Sequence, residues 1–135
     1  MKANELMIGD LVNLSPGKAN IPNYVMIHAI DYDNHVSKDN VFDIVFLSTG
    51  LVQYNYSIRS LKPIPLTPEI LEKNGFVACQ FWHEYKDGNI TIQACIPSIR
   101  MKNDPCELVI EGGIHYVHQL QHALRLCGIE KEITI

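Results

Sequence analysis

Three histidines near the C-terminal end, His115, His118 and His122, come closest in type and spacing to a reactive site. His118 and His122 are four positions apart, so on a helix both imidazoles project from one face. A helix starting a turn early adds His115 and gives three nitrogen ligands of the kind zinc takes. The general base of an H-E-x-x-H metal site is missing, because Gln119, Leu120 and Gln121 fill the interval. Arg125 shares that side of the helix and disfavours a cation. The competing structural reading is a solvated polar face, with one imidazole pairing to a sheet. It lies opposite the apolar stripe of Val117, Leu120, Leu124 and Cys127.

A second constellation is aromatic. Tyr24, Tyr32, Tyr54 and Tyr56 all fall on or beside strand-like runs in the first half of the chain. Exposed aromatics on a small barrel can hold proline-rich peptides or stack bases. The plainer alternative is that they fill a small core with their hydroxyls at the rim. Base-stacking sites come with cations, which favours the plainer reading over nucleic acid.

Other chemistry is thin. Cys79, Cys95, Cys106 and Cys127 form no C-x-x-C, so a zinc ribbon or a dithiol redox motif has no support. All four read as reduced thiols, with Cys79, Cys95 and Cys127 as small hydrophobes. Cys79 and His83, taken as one strand, sit about 13 Å apart and cannot pair. No G-x-S-x-G elbow is present, and Gly112-Gly113 lacks the Gly-Lys-Ser/Thr of a phosphate loop. Asp31 with Asp33, and Glu69 with Glu72, stand where turns and helix starts need them anyway.

The elements that must position these groups divide the chain in two. Residues 1–62 read as five short strands: Asp10–Leu14, Tyr24–Asp31, Phe42–Leu47, Leu51–Tyr54, and Ile58–Lys62 as a last strand or single helical turn. Ser15-Pro16-Gly17 ends the first strand, Asp33-Asn34-His35 is a loop, and Ser48-Thr49-Gly50 makes a hairpin. This spacing predicts a small SH3-like β-barrel. Residues 63–68 are a stiff connector set by Pro63, Pro65 and Pro68. Thr67 then caps a short helix that ends at Asn74-Gly75. Over residues 69–135 the pattern predicts a strand from Phe76 to Glu84, a turn at Lys86–Asn89, and a strand over Ile90–Ile96. A polar loop over Pro97–Pro105, a strand over Glu107–Ile110 and a final helix from Val117 to Cys127 follow. The fold class expected is α+β: an antiparallel sheet with a covering helix follows the barrel half, the two packed as one unit.

Composition bounds the function classes. The 135 residues include 47% hydrophobic and 19% charged side chains, the profile of a folded domain. The net charge of −4 argues against a partner held by phosphate neutralisation. Neither half is basic: residues 1–66 carry five Lys/Arg against six Asp/Glu, and residues 67–135 carry six against nine. No apolar run approaches the roughly 20 residues of a membrane span. Met1–Glu5 leads into no apolar stretch of signal length, so a cytoplasmic protein is expected.

Three segments occur together and in order: Met1-Lys2-Ala3-Asn4-Glu5-Leu6-Met7-Ile8-Gly9-Asp10, Lys62-Pro63-Ile64-Pro65-Leu66-Thr67, and Val117-His118-Gln119-Leu120-Gln121. In this the chain resembles a family of uncharacterised small proteins of gut anaerobic bacteria and their prophages or mobile elements. Members of that family often continue the last motif into an aromatic-containing helix ending in Leu-Thr-Gly. Here it continues as His122-Ala123-Leu124-Arg125-Leu126-Cys127-Gly128. The resemblance implies a mobile-element accessory protein and carries over no catalytic residue and no cofactor. Physically, Ile8-Gly9-Asp10 reads as a turn into the first strand.

The sequence thus points to a non-catalytic binding or assembly module, without a cofactor, whose partner is a protein. The alternatives are a nucleic-acid-binding accessory protein using the barrel tyrosines, and a metal-dependent enzyme using His115, His118 and His122.

Overall fold

A computed structural model describes residues 5–14, 23–31 and 41–135. The start of the first motif, the Ser15-Pro16-Gly17 turn, Tyr32 and the loop around Asp33 lie outside the described residues. The chain divides into two units, Met1–Ile64 and Pro65–Ile135.

The described residues of the first unit form one antiparallel sheet of five strands. They are β1 (Leu11–Leu14), β2 (Asn23–Asp31), β3 (Val41–Phe46), β4 (Val52–Ser57) and β5 (Leu61–Lys62), in the order β4-β3-β2-β1-β5. Alternation drives it: Val12, Val25, Ile27, Phe42 and Ile44 point to one side and are fully buried, joined by Leu6 and Leu61. Each such side chain contributes about 1.5–3 kcal/mol on leaving water. The turn before β1 forms at Gly9 (φ 87°), with Asp10 buried and its carboxylate accepting from the Met7 amide at 2.8 Å. A single 3-10 turn, Ile58–Ser60, separates β4 from β5. The last segment is therefore both a helical turn and a strand. Among the described residues no ladder joins the edge strands β4 and β5. The sheet is open, and the closed barrel expected from the sequence is not formed by strand pairing.

The second unit is an antiparallel meander of β6 (Val77–Ala78), β7 (His83–Asp87), β8 (Ile90–Cys95), β9 (Ser98–Asn103) and β10 (Cys106–Ile110) in reverse spatial order, with helices α1 (Pro68–Lys73) and α2 (Val117–Leu126). The class is α+β. Two expected elements differ. The strand drawn over Phe76–Glu84 is two, because the chain reverses at residues 79–82, where the Cys79 amide bonds to Trp82 carbonyl at 2.7 Å. The loop drawn over Pro97–Pro105 is mostly β9. Its charged Arg100 and Lys102 hide a period of two in which Ile99 and Met101 are buried.

Both helices carry the ends their sequence encodes. The Thr67 hydroxyl accepts from the Ile70 amide at 3.4 Å, with Pro68 as the first helical residue. At α2, Gln119 Oε1 takes the amides of both His115 (2.8 Å) and Tyr116 (3.0 Å), fixing the entry. Its exit pairs Gly128 N with Arg125 O and Ile129 N with Leu124 O, around Gly128 at φ 72°. Ile129 then begins a C-terminal tail in which Ile129 and Ile133 are buried.

Candidate functional site: a tyrosine groove along an edge strand

β4 is the edge of the first sheet, and it is bulged. Phe42 pairs with Tyr56 and Ile44 with Gln53, so Tyr54 and Asn55 together oppose Asp43. The extra residue is absorbed at Asn55, which takes φ 62°, a conformation asparagine tolerates better than most side chains. The Asp43 carboxylate accepts from the Asn55 amide at 3.1 Å and satisfies the group that the irregular ladder releases. Tyr56 packs its ring on the buried cluster while its hydroxyl donates to Gln53 Oε1 at 2.6 Å. Tyr54 is 67% exposed.

The result is an open concavity of about 730 Å³ lined by Val52, Gln53, Tyr54, Asn55, Tyr56, Ser57 and Ser60. No lining side chain is charged. Two of the four tyrosines singled out from the sequence, Tyr54 and Tyr56, meet here. Tyr24 is half-buried on β2, with β3 between it and β4, and lines no part of the groove. Tyr32 lies outside the described residues. Gln53, Asn55 and Ser60 were not singled out, because strand alternation reads straight through the bulge. The available signal was an asparagine between two tyrosines, a residue that enters the left-handed region.

The histidines depart from the solvated-face reading. His118 is 2% exposed, and Gln121 is buried as well, so that side of α2 is not a solvated polar face. The ring of His118 stacks on Tyr116 (5.8 Å, 7° between planes) and meets His122 edge-on at 5.9 Å. His115 is exposed before the helix, its Nε2 3.0 Å from the Gly112 carbonyl oxygen. Among the described residues no three His, Cys, Asp or Glu side chains are gathered as metal ligands.

A second concavity, of about 540 Å³, lies on the outer face of the second sheet and includes Trp82, Gln93, Arg100 and Lys102. Neighbouring charges are partly compensated there. Arg100 Nε is 3.1 Å from Glu107, and Lys86 is 3.1 Å from Glu84. The Lys86 ammonium, then the Gln93 amide, hold the Glu84 carboxyl below the ordinary glutamate range.

The cysteines are all free thiols, but Cys79, Cys95 and Cys106 are exposed, which corrects the hydrophobe reading for Cys79 and Cys95. The chain reversal at 79–82 also removes the straight-strand separation assumed for Cys79 and His83; His83 Nε2 lies 3.2 Å from Glu72. Cys127 is half-buried, its thiol 2.9 Å from Met101 Sδ, and burial pushes its pKa up. A raised pKa means less thiolate at neutral pH and the half-buried sulfur is less accessible, so Cys127 is expected to react more slowly than the other three with a thiol-directed disulfide reagent. Stopped-flow labelling should resolve three fast equivalents and one slow one. Four equal rates would contradict this environment.

Scanned against protein-family models, curated proteins and solved structures, the chain matches none. Among the described residues no helix is long and apolar enough to cross a membrane.

Proposed function

We propose that the chain is a non-catalytic protein-binding module that holds an extended segment of a protein partner in the β4 groove. The carrying observation is the groove's lining: an exposed Tyr54 beside an anchored Tyr56, flanked by amides and hydroxyls without a charged side chain. Aromatic, uncharged grooves suit extended, proline-containing peptides, whose conformation costs little entropy to fix. Nucleic acid needs cations beside its stacking platforms, and this groove has none. The strand order β4-β3-β2-β1-β5 and the 3-10 turn between β4 and β5 support an SH3-like reading of this unit. The mobile-element setting implied by the sequence motifs fits an assembly role, and we include it in the reading.

The test is titration of the isotope-labelled protein with pooled proline-rich peptides. Amide shifts are expected to concentrate in Val52–Ser60. Tyr54→Ala should weaken binding about tenfold or more, as loss of an aromatic anchor does. Because Tyr54 is exposed, the same change should alter folding stability by no more than about 0.5 kcal/mol. Two outcomes reject the reading: no pool shifts these amides, or single-stranded oligonucleotides shift them with a steep salt dependence while peptides do not.

A further inference from the structure

Among the described residues the two sheets have four edges, and three of them are poor templates for another strand. β4 is bulged at Tyr54-Asn55, while β5 and β6 are two residues long. β10 differs. It makes five consecutive pairs with β9 without a register shift, from Cys106↔Asn103 to Ile110↔Ile99. Its sequence, Cys-Glu-Leu-Val-Ile, has no proline or lysine and a single charge. Leu108 and Val109, on opposite faces, are each 43% exposed. Leu108 also shares a concavity of about 280 Å³ with Leu126, which is 73% exposed at the end of α2. Proteins normally blunt such an edge or cover it.

We infer that β10 is covered by β10 of a second copy of this chain, paired antiparallel about a two-fold axis to extend the second sheet. Antiparallel edge pairing is self-complementary, as a two-fold interface requires. Charge selects the register. With Leu108 on the axis, each Glu107 stands opposite Val109 of the second copy, in the row that continues to its Arg100. Each carboxylate then faces a valine rather than the other carboxylate, whereas centring on Glu107 would oppose like charges. The same register sets Leu108 against Leu108 on the other face, with both Leu126 side chains nearby. The contact lies on the second unit and stands whether or not the β4 groove binds peptide.

Sedimentation equilibrium from micromolar to millimolar protein is expected to follow the mass from monomer towards dimer. Val109→Lys, on the solvent face, should weaken association at least about tenfold with the fold retained by circular dichroism. Val109→Thr, which preserves the strand, should not. Register is read by single cysteines in a background with Cys79, Cys95, Cys106 and Cys127 all changed to Ser. Leu108→Cys should form a disulfide-linked dimer under mild oxidation, because it faces its own copy, whereas Glu107→Cys and Val109→Cys should not. A mass that stays monomeric throughout overturns the inference. So does association unaffected by Val109→Lys, or cross-linking through position 107 or 109 in preference to 108.

Discussion

Asn74→Ala is expected to destabilise the second unit by about 2–4 kcal/mol and to release the C-terminal tail. Asn74 is buried at the end of α1, and its carboxamide is used on every side. Nδ2 donates to the Ile70 and Thr134 carbonyls, both at 2.7 Å, and Oδ1 accepts from the Thr134 amide at 2.8 Å. The side chain thus stands in for a strand, exchanging two hydrogen bonds with the backbone of one tail residue. Alanine removes both, together with the bond to the Ile70 carbonyl, and leaves the amide and carbonyl of Thr134, an exposed residue, to bond water instead. A side-chain hydrogen bond is worth about 0.5–1.5 kcal/mol net, so losing three together outweighs any gain in helix propensity. Denaturant unfolding gives the stability change, and Thr134 amide exchange should accelerate in step. Asn74→Asp keeps the acceptor but sets a buried carboxylate oxygen against the Ile70 and Thr134 carbonyls, so it should cost at least as much as Asn74→Ala. Lys73→Ala removes only an exposed contact to the Ile135 oxygen (2.6 Å) and should change stability by no more than about 0.5 kcal/mol. A loss below about 1 kcal/mol for Asn74→Ala would mean that the tail is held by Ile129 and Ile133 alone.

Phe42→Ala should cost about 3–5 kcal/mol, the range for emptying a buried aromatic position. Phe42 is fully buried in β3, across from Ile30 on β2 and Tyr56 on β4. No neighbour can fill that volume without giving up its own strand register, so the cavity term adds to the lost transfer energy. The effect should reach the groove, because the ring of Tyr56 rests on the same cluster. We expect amide exchange across β2 and β3 to quicken and peptide binding to weaken through the loss of an ordered Tyr56. Phe42→Leu, which keeps most of the apolar volume, should recover more than half of both. Equal losses for leucine and alanine would indicate that the aromatic ring itself, rather than filled space, is required.

Legibility along the chain follows how local the signal is. The Thr67-Pro68 start and Asn74-Gly75 stop of α1, the Gly128 exit of α2 and the Gly88-Asn89 turn are encoded within a few residues, and each occurs where the residues demand it. β3 and β8 were readable because Phe42/Ile44 and Ile92/Ala94 alternate over enough positions to fix a face. β9 was not, since Arg100, Lys102 and Ser98 dominate its composition and only Ile99 and Met101 mark the inner face. The reversal at 79–82 was missed for a related reason: Phe81 and Trp82 continue an apolar run that a turn would ordinarily interrupt with polar residues.

Sequence spacing fixed only which residues share a helix face or a strand face, because those periods are properties of the local backbone. It determined the α+β class, the start and stop of α1, the Gly128 exit of α2 and most of the strands. Tertiary structure decided what those faces meet. It buried His118 against Tyr116, separated Tyr24 from Tyr54 and Tyr56, and turned Asn74 from a helix stop into the anchor of the tail. Burial and bulge position depend on partners far apart in the chain: Asp43 satisfies an amide twelve residues away, and Asn74 one sixty residues away. No local pattern encodes such pairs, and so the groove, unlike the strands that frame it, became visible only once the chain was folded.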